Sequence, residues 1–289
     1  MRKNILFRTL TIVFAALLAL GSLTSCANVI AKKPTNATEL YEAFLKSEHD
    51  NSRITGDVTL SAGMGSLQFS LDTTLDLQLN GGNVHGTIAS RDGASTMEIY
   101  AVKENDKQIL YYKGFPLSLG GLGIDLNSLI GNEWYVSESD ATTSATDLAT
   151  TLDASLFTDA QFEEGDGTYI VTVSGEALAK QVIASLENTE DTAANRAETE
   201  QTINTLFKDA SLKLTFDNQY RLISVYMAPV KAAIPSGGEL LSTNIDVTLG
   251  FDLTISDFGN ISPIEVPAEI VASATSADQN SVNQLGGIL

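Results

Sequence analysis

The sequence predicts an α+β fold, in which a large curved antiparallel β-sheet is accompanied by a few helices. The main observation is that apolar and polar residues alternate through residues 67–80 and again through residues 245–255. The apolar positions include Leu71, Leu75, Leu77, Phe251 and Leu253. Such alternation is typical of antiparallel strands with one buried and one wet face, and both runs exceed the usual strand length of about six residues.

Turn residues predict the hairpins of this sheet. Asn80-Gly81-Gly82 is a strong signal for a tight turn at the end of the first long run. Further turns are predicted at residues 104–107, 165–167 and 217–219, and a mid-chain strand is predicted at residues 132–136. Short strands separated by such turns are expected of an antiparallel sheet rather than a parallel one.

Helical periodicity occurs in four places. Asn36 is expected to cap a short amphipathic helix, with Glu39 completing a capping box. The polar residues 188–200 are expected to form an exposed loop. The other helices are predicted near residues 145–157, from Ser174 onward, and in the residues that end at Phe207.

The N-terminus has the order of a secretory signal peptide. Arg2 and Lys3 precede an apolar body, and small residues lead to Cys26, the only cysteine of the chain. Leu23-Thr24-Ser25-Cys26 resembles the bacterial lipobox, in which the cysteine is acylated and becomes the first mature residue. The resemblance implies a lipoprotein held on the bacterial cell membrane, outside the cytoplasm, by acyl chains such as palmitate on Cys26.

An uncleaved membrane anchor is the alternative for this segment. No charged residue occurs between Thr9 and Ala31, which is long enough to cross a bilayer core of roughly 30 Å. Thr24, Ser25 and Asn28 interrupt its second half, and the apolar body alone is too short to span a membrane. This pattern favours the signal peptide.

These signals divide the chain into four parts. They predict a signal peptide at residues 1–25, a lipidated tether at 26–36, one sheet domain at 37–272 and a flexible tail at 273–289. The tail is predicted because alanine, serine, glutamine and asparagine follow one another there without periodicity.

The charge excludes one class of partner. The full chain carries a net charge of −19, and loss of the signal peptide removes three of its 17 basic residues. The remaining 14 basic residues stand against 36 acidic ones, a net charge of −22. Such a surface repels nucleic acid and anionic headgroups, so we expect no nucleic-acid partner and a membrane contact made through the lipid anchor.

The order of elements is similar to that of a known family. The lipobox is followed by a short helix, long strands in hairpins, the strand containing Trp134, further helices, more strands and a closing Ile264-Glu265-Val266-Pro267 segment. Over residues 37–270 this order resembles extracytoplasmic lipoproteins of the LolA, LolB and LppX type. The resemblance implies a half-open barrel with helices on its concave side and a cavity that binds acyl chains or lipoproteins. The arginine with which that family grips its cargo matches no single residue among Arg53, Arg91 and Arg221.

An uncharged, glycine-rich segment at residues 115–124 departs from ordinary loop chemistry, because loops are normally exposed and polar. Its large apolar residues include Phe115, Leu117, Leu119 and Leu122. One interpretation is a segment that folds into the core. The other is a flexible apolar lid at the mouth of a cavity.

Residues with catalytic or metal-binding chemistry are sparse. His49 and His85 lie near polar turns without ligand spacing, so both are expected at the surface and no metal or cofactor site is predicted. The glycines of residues 120–123 lack the Lys-Ser/Thr pair of a phosphate-binding loop, and no nucleophile elbow occurs. We therefore expect that the protein is not an enzyme.

Two functions remain. In the first, the protein binds or carries a lipid or lipidated molecule in a cavity between the sheet and the helices. The residues predicted to line that cavity are Leu71, Leu75, Leu77, Phe115, Leu117, Leu119, Leu122, Phe251 and Leu253. In the second, it is a non-catalytic structural or interaction lipoprotein of the cell envelope, with a filled core and a protein partner that the sequence leaves open. An empty apolar cavity favours the first and a packed core the second.

Overall fold

A computed structural model of the protein describes residues 33–47, 50–64, 67–70, 72–91, 93–104, 107–114, 133–140, 154–185, 193–235 and 244–276. The helices in these ranges are α1 (Ala37–Phe44), α2 (Ser155–Thr158), α3 (Gly175–Ser185), α4 (Ala193–Phe207) and α5 (Ala268–Ser273). The strands are β1 (Asn51–Met64), β2 (Leu67–Ser70), β3 (Thr73–Asn80), β4 (Asn83–Ser90), β5 (Thr96–Glu104), β6 (Lys107–Lys113), β7 (Trp134–Asp140), β8 (Gln161–Glu164), β9 (Thr168–Ser174), β10 (Ser211–Asp217), β11 (Leu222–Pro235), β12 (Asn244–Ser256) and β13 (Thr275–Ser276).

The thirteen strands of the described ranges form one sheet. Its order is β13-β7-β6-β5-β4-β3-β1-β12-β11-β10-β9-β8, and β2 pairs with β1 beyond the end of β3. Every pairing is antiparallel except that of β13 with β7, which is parallel. The order is linear, so the sheet is not closed. The predicted α+β class with a large, mainly antiparallel sheet is thereby confirmed.

The two long alternating runs are strands, with one difference. β12 covers the whole of the run at residues 245–255. The run at residues 67–80 was predicted as one strand, but it is divided into β2 and β3, and the carbonyl of Asp72 between them accepts a 2.7 Å bond from the amide of Arg91. Both halves keep the same register against β1, with Ser70 opposite Ser61 and Thr73 opposite Val58.

The glycine turn after β3 is confirmed. Asn80 pairs with Asn83 at the end of the β3–β4 hairpin. Gly81 and Gly82 have φ of 60° and 83°. Two successive residues with positive φ make a turn whose twist matches that of the flanking strands, and glycine adopts this conformation without steric cost.

The cap of α1 is confirmed as well. The Asn36 side chain accepts a 2.9 Å hydrogen bond from the amide of Glu39. The Glu39 carboxylate reaches back one residue further than expected, to the amide and hydroxyl of Thr35, both at 2.8 Å. The end of the predicted tether is also attached to the domain, because Lys33 forms an ion pair with Glu164 of β8.

Two helix predictions differ from the structure. Residues 193–200, predicted as part of an exposed loop, belong to α4. This half of α4 has no apolar periodicity, but it is rich in alanine, and Arg196 and Glu200 form an (i, i+4) ion pair at 3.0 Å. The helix predicted near residues 145–157 is described only as the single turn of α2, since residues 141–153 lie outside the described ranges.

The main hydrophobic core joins helices to one face of the sheet, which we call the helix-side face. Four helices contribute to it: Leu40 and Phe44 of α1, Phe157 of α2, Ala179 of α3, and Ile203, Leu206 and Phe207 of α4. Phe44 makes an edge-to-face contact with Phe216 of β10, with ring centroids 5.5 Å apart. Most strands from β1 to β12 supply alternate residues to this core, as period-two alternation requires.

A second, smaller core lies on the opposite face of the sheet. Tyr100, Val102 and Tyr111 of β5 and β6 pack there against Ile264 and Ile270 of the C-terminal segment. Of the predicted tail at residues 273–289, Ser273 ends α5 and residues 275–276 form β13. The flexibility of the tail stays a prediction. β5 and β6 carry apolar side chains on both faces of the sheet. The C-terminal segment covers those of the opposite face. Residues 277–289 lie outside the described ranges.

Candidate functional site

The predicted ligand-lining residues of β3 and β12 belong to the main core. Leu75, Leu77 and Leu253 are 3%, 1% and 0% exposed. A side chain lining a cavity wide enough for an acyl chain would be reachable by water, so these three do not border such a space in this structure. Phe251, opposite Val58 on β1, is only partly buried.

The remaining predicted site residues lie outside the described ranges. They are Cys26, Leu71, Phe115, Leu117, Leu119 and Leu122. Lipidation of Cys26 and ligand contact by the other five stay predictions.

Apolar side chains of the helix-side face continue beyond the part of the sheet that the helices contact. The strand contacts of the helices centre on β9, β10 and β11. On β5 and β6, four residues of the same face pack against the main core but stay partly exposed: Met97, Ala101, Leu110 and Tyr112. We call these four residues the apolar strip.

Tyr112 is the most polar member of the apolar strip. Its ring stacks on that of Tyr135 of β7, with centroids 5.6 Å apart and planes at 25°. Burial raises the pKa of Tyr112, and the neighbouring Tyr135 adds to the shift. The hydroxyl therefore stays neutral over a wide pH range, which suits contact with an apolar molecule.

Sequence reasoning did not single out the apolar strip. Residues 97–102 are apolar on both faces of β5, except for Glu98, so alternation does not separate the two sides. The available signal was the run of apolar residues itself, because a strand covered on both faces reads as a nearly continuous apolar segment.

The opposite face carries ion pairs along the middle of the sheet. Arg53 donates from Nε and Nη2 to the two carboxylate oxygens of Asp76, at 2.7 and 2.6 Å. Arg91 donates to Asp57 at 2.8 Å. These guanidinium groups lower the pKa of Asp76 and the pKa of Asp57, although partial burial opposes both shifts.

The third arginine considered in the sequence is also engaged. Arg221 donates from Nε and Nη2 to one oxygen of Asp217, at 2.8 and 2.6 Å, and its guanidinium lies 4.4 Å from the ring centroid of Phe258. Each of Arg53, Arg91 and Arg221 therefore has a carboxylate partner, and a bound molecule would have to compete with it.

His85 lies beside the second core. Its ring stacks on Tyr100 at 4.1 Å between centroids, and its Nε2 is 3.6 Å from Glu98. Burial raises the pKa of Tyr100, with further contributions from the negative charges of Glu98 and Glu269. Within the described ranges, no three His, Cys, Asp or Glu side chains are grouped so that they could hold a metal ion.

Comparison with known proteins does not assign this chain to a family. Neither models of protein families nor functionally characterised proteins gave a match to this chain. Across the helices of the described ranges, none has the length and apolar character needed to cross a membrane.

Proposed function

We propose that this protein is an extracytoplasmic lipoprotein of the LolA, LolB and LppX type, anchored to the cell membrane by acyl groups on Cys26 and binding a hydrophobic ligand through its sheet domain. In this proposal the sheet is a half-open barrel whose concave side is the helix-side face. The anchor rests on the lipobox at residues 23–26.

The apolar strip is the observation that supports ligand binding most directly. Its side chains continue the main core past β9–β11, where the helices make their strand contacts, yet they remain partly exposed. Covering such surface stabilises a complex by about 25 cal/mol for each Å² removed from water. An acyl chain or another apolar molecule would complete the burial that the helices leave unfinished.

The ligand is placed differently from the sequence-based expectation. Leu75, Leu77 and Leu253 are already packed against other side chains, so we place the ligand at the β5–β6 end of the helix-side face. Met97, Leu110 and Tyr112 replace them as the proposed contacts. A deeper cavity would require the main core to open around these three leucines.

The packed core supports a second candidate, a structural or interaction lipoprotein of the envelope without a ligand. Aromatic rings from α1 and α2 fill the helix side, with Tyr41 stacked on Phe157 at 4.5 Å. Leu253 is buried as well. A filled core of this kind is expected of an interaction protein without a ligand. The two candidates differ in whether the apolar strip holds a non-covalent ligand.

The test is native mass spectrometry of the full-length protein purified from its own membranes, followed by solvent extraction under denaturing conditions. Extraction separates bound lipid from the acyl groups that remain covalently attached. The variants Leu110→Ser and Met97→Ser should lose the extractable lipid while the melting curve still shows a folded domain. Val271→Ser is the control, because Val271 is 52% exposed on α5, which packs against the opposite face. A wild-type protein without extractable lipid, or variants that retain it, would favour the interaction protein.

A further inference from the structure

We propose that the opposite face carries a separate binding site for an uncharged oligosaccharide, in a polar groove across β2, β1, β12 and β11. The groove has a volume of about 580 Å³. The lining residues used in the argument are Ser61, Ser70, Asp72, Lys231, Asp246 and Thr248. The site is distinct from the apolar strip and does not depend on the hydrophobic ligand proposed above.

The floor of the groove is a row of hydroxyl groups. Ser70 of β2 lies opposite Ser61 of β1, Ser61 lies opposite Thr248 of β12, and Thr248 lies opposite Lys231 of β11. Their neighbours Val247 and Ala232 are buried in the main core, so this row faces the other way. Four neighbouring strands place the row over about 14 Å, at about 4.8 Å for each strand.

Charged groups that complement sugar hydroxyls line the same groove. Asp72 and Asp246 offer carboxylate acceptors, and Lys231 offers an ammonium donor. The Oδ1 atom of Asp72 is shielded from solvent and has no hydrogen-bond partner among the described residues. A sugar hydroxyl is as large as a water molecule, so it can donate to this atom only after the Asp72 side chain rotates toward the groove.

A second groove adjoins the first and reaches the end of α4 through Thr205, Leu206 and Asp209. It has a volume of about 480 Å³ and shares Lys231 with the first. Tyr226 lines it and is one of the few large apolar side chains of the described ranges that stay exposed, at 41%. Lys213 lies opposite Tyr226 on β10. An exposed tyrosine ring beside polar groups presents an apolar face on which the C–H side of a sugar ring can stack, while its hydroxyl stays wet.

The charges of the two grooves favour an uncharged ligand. Two lysines, Lys213 and Lys231, stand against three carboxylates, Asp72, Asp209 and Asp246, so the two grooves together are nearly neutral and slightly acidic. The chain as a whole carries a charge of −19, which repels anions. A hydroxyl-lined floor with carboxylate acceptors is also a poor surface for an acyl chain, because those groups would lose water without gaining hydrogen bonds. The hydroxyl groups of a neutral sugar can donate to carboxylates and accept from lysines, and they add no charge of their own.

The experiment is isothermal titration calorimetry of the full-length protein in a detergent that has no sugar headgroup. The probes are maltotetraose, cellotetraose and N-acetylated chitotetraose, with tetragalacturonate as the anionic comparison. Thr248→Val and Lys231→Ala each remove one hydrogen-bonding group from the groove. Thr254→Val, on the same strand, and Lys103→Ala on β5 are matched controls that lie outside the grooves and have exposed side chains.

We expect at least one neutral tetrasaccharide to bind, and each groove variant to weaken it by up to about tenfold, the effect of one lost hydrogen bond. The controls should bind as the wild type does. The proposal is overturned if no neutral probe binds at about 10 mM, a concentration that reveals even weak complexes. It is equally overturned if only tetragalacturonate binds, or if the groove variants and the controls bind alike.

Discussion

Asn51 and Ile261, which are 210 positions apart in the sequence, exchange two hydrogen bonds of 2.8 Å. The Asn51 side-chain amide donates to the carbonyl of Ile261 and accepts from its backbone amide. Asn80 donates to the same carbonyl at 2.6 Å, and Asn83 donates to the carbonyl of Ile264 at 3.2 Å. Three asparagines at the ends of β1, β3 and β4 thus attach the C-terminal segment as it approaches the second core.

We expect Asn51→Ala to lower the free energy of unfolding by about 1 to 3 kcal/mol, because the backbone amide of Ile261 loses its partner and its carbonyl keeps only the bond from Asn80. Urea unfolding followed by tryptophan fluorescence measures the change, since Trp134 packs against the second core. Asn218→Ala, in the exposed β10–β11 turn, is the control and should have little effect. Equal effects of the two substitutions would contradict the role given to Asn51.

The Arg53–Asp76 pair predicts a pH dependence. Hydrogen bonding by Arg53 lowers the pKa of Asp76 below its unfolded value, so the pair stabilises the fold above about pH 4 and that stabilisation disappears as the pH falls through the folded pKa. Asp76→Asn should therefore destabilise the protein near pH 7 and have a smaller effect near pH 3. The two side chains are 39% and 43% exposed, so solvent screening keeps the effect small.

Urea midpoints of wild type and Asp76→Asn at both pH values provide the measurement. Glu265→Gln is the comparison, because Glu265 is exposed and its carboxylate makes no ion pair within the described ranges. A difference between wild type and Asp76→Asn that stays constant across the pH range would show that Arg53 does not act through the carboxylate charge.

Substitutions at Leu75 and Phe251 can distinguish a packed core from a cavity that water enters. Leu75 is 3% exposed, so Leu75→Asp buries a charge without a partner and should cost about 3 kcal/mol or more. Phe251→Asp should cost less, since Phe251 is only partly buried. Thermal melts beside lipid extraction distinguish the outcomes. A Leu75→Asp protein that stays fully stable but loses its lipid would place the cavity at β3 after all.

Gly56 allows β1 and β12 to approach closely. Its φ is 141°, and an added Cβ would lie 2.0 Å from the carbonyl oxygen of Asp252. We expect Gly56→Ala to cost about 3 kcal/mol, through the clash together with backbone strain. Gly259, with a φ of 73° and open space around it, is the matched control, for which strain alone costs about 1 kcal/mol. Equal melting temperatures for the two variants would refute the clash.

Cys26 is the predicted anchor. Because it is the only cysteine, Cys26→Ser removes the only thiol that could be acylated. The variant should lose incorporation of labelled fatty acid and leave the membrane fraction. Labelling at the wild-type level in the variant would exclude Cys26 as the attachment point. An unlabelled wild type together with a variant that stays in the membrane fraction would favour the uncleaved anchor.

Local patterns predicted much of the sheet. The alternation at residues 245–255, the glycine turn at Gly81 and Gly82 and the cap at Asn36 are all present as expected. Each depends on neighbouring residues, because side-chain alternation, positive φ and capping are properties of a few consecutive positions. The polar half of α4 was missed, since a helix without an apolar face leaves no periodic signal.

The sequence by itself determined which residues of each long strand face the core, since the side-chain direction alternates at every residue. Only the tertiary structure decided what covers those faces. Leu75 and Leu253 are buried in the main core, the C-terminal segment covers Tyr100, and the apolar strip on β5 and β6 is left partly exposed. Alternation indicates that a side chain is buried, but it does not indicate which residues pack against it. Those residues depend on contacts between positions far apart in the sequence, such as that between Asn51 and Ile261.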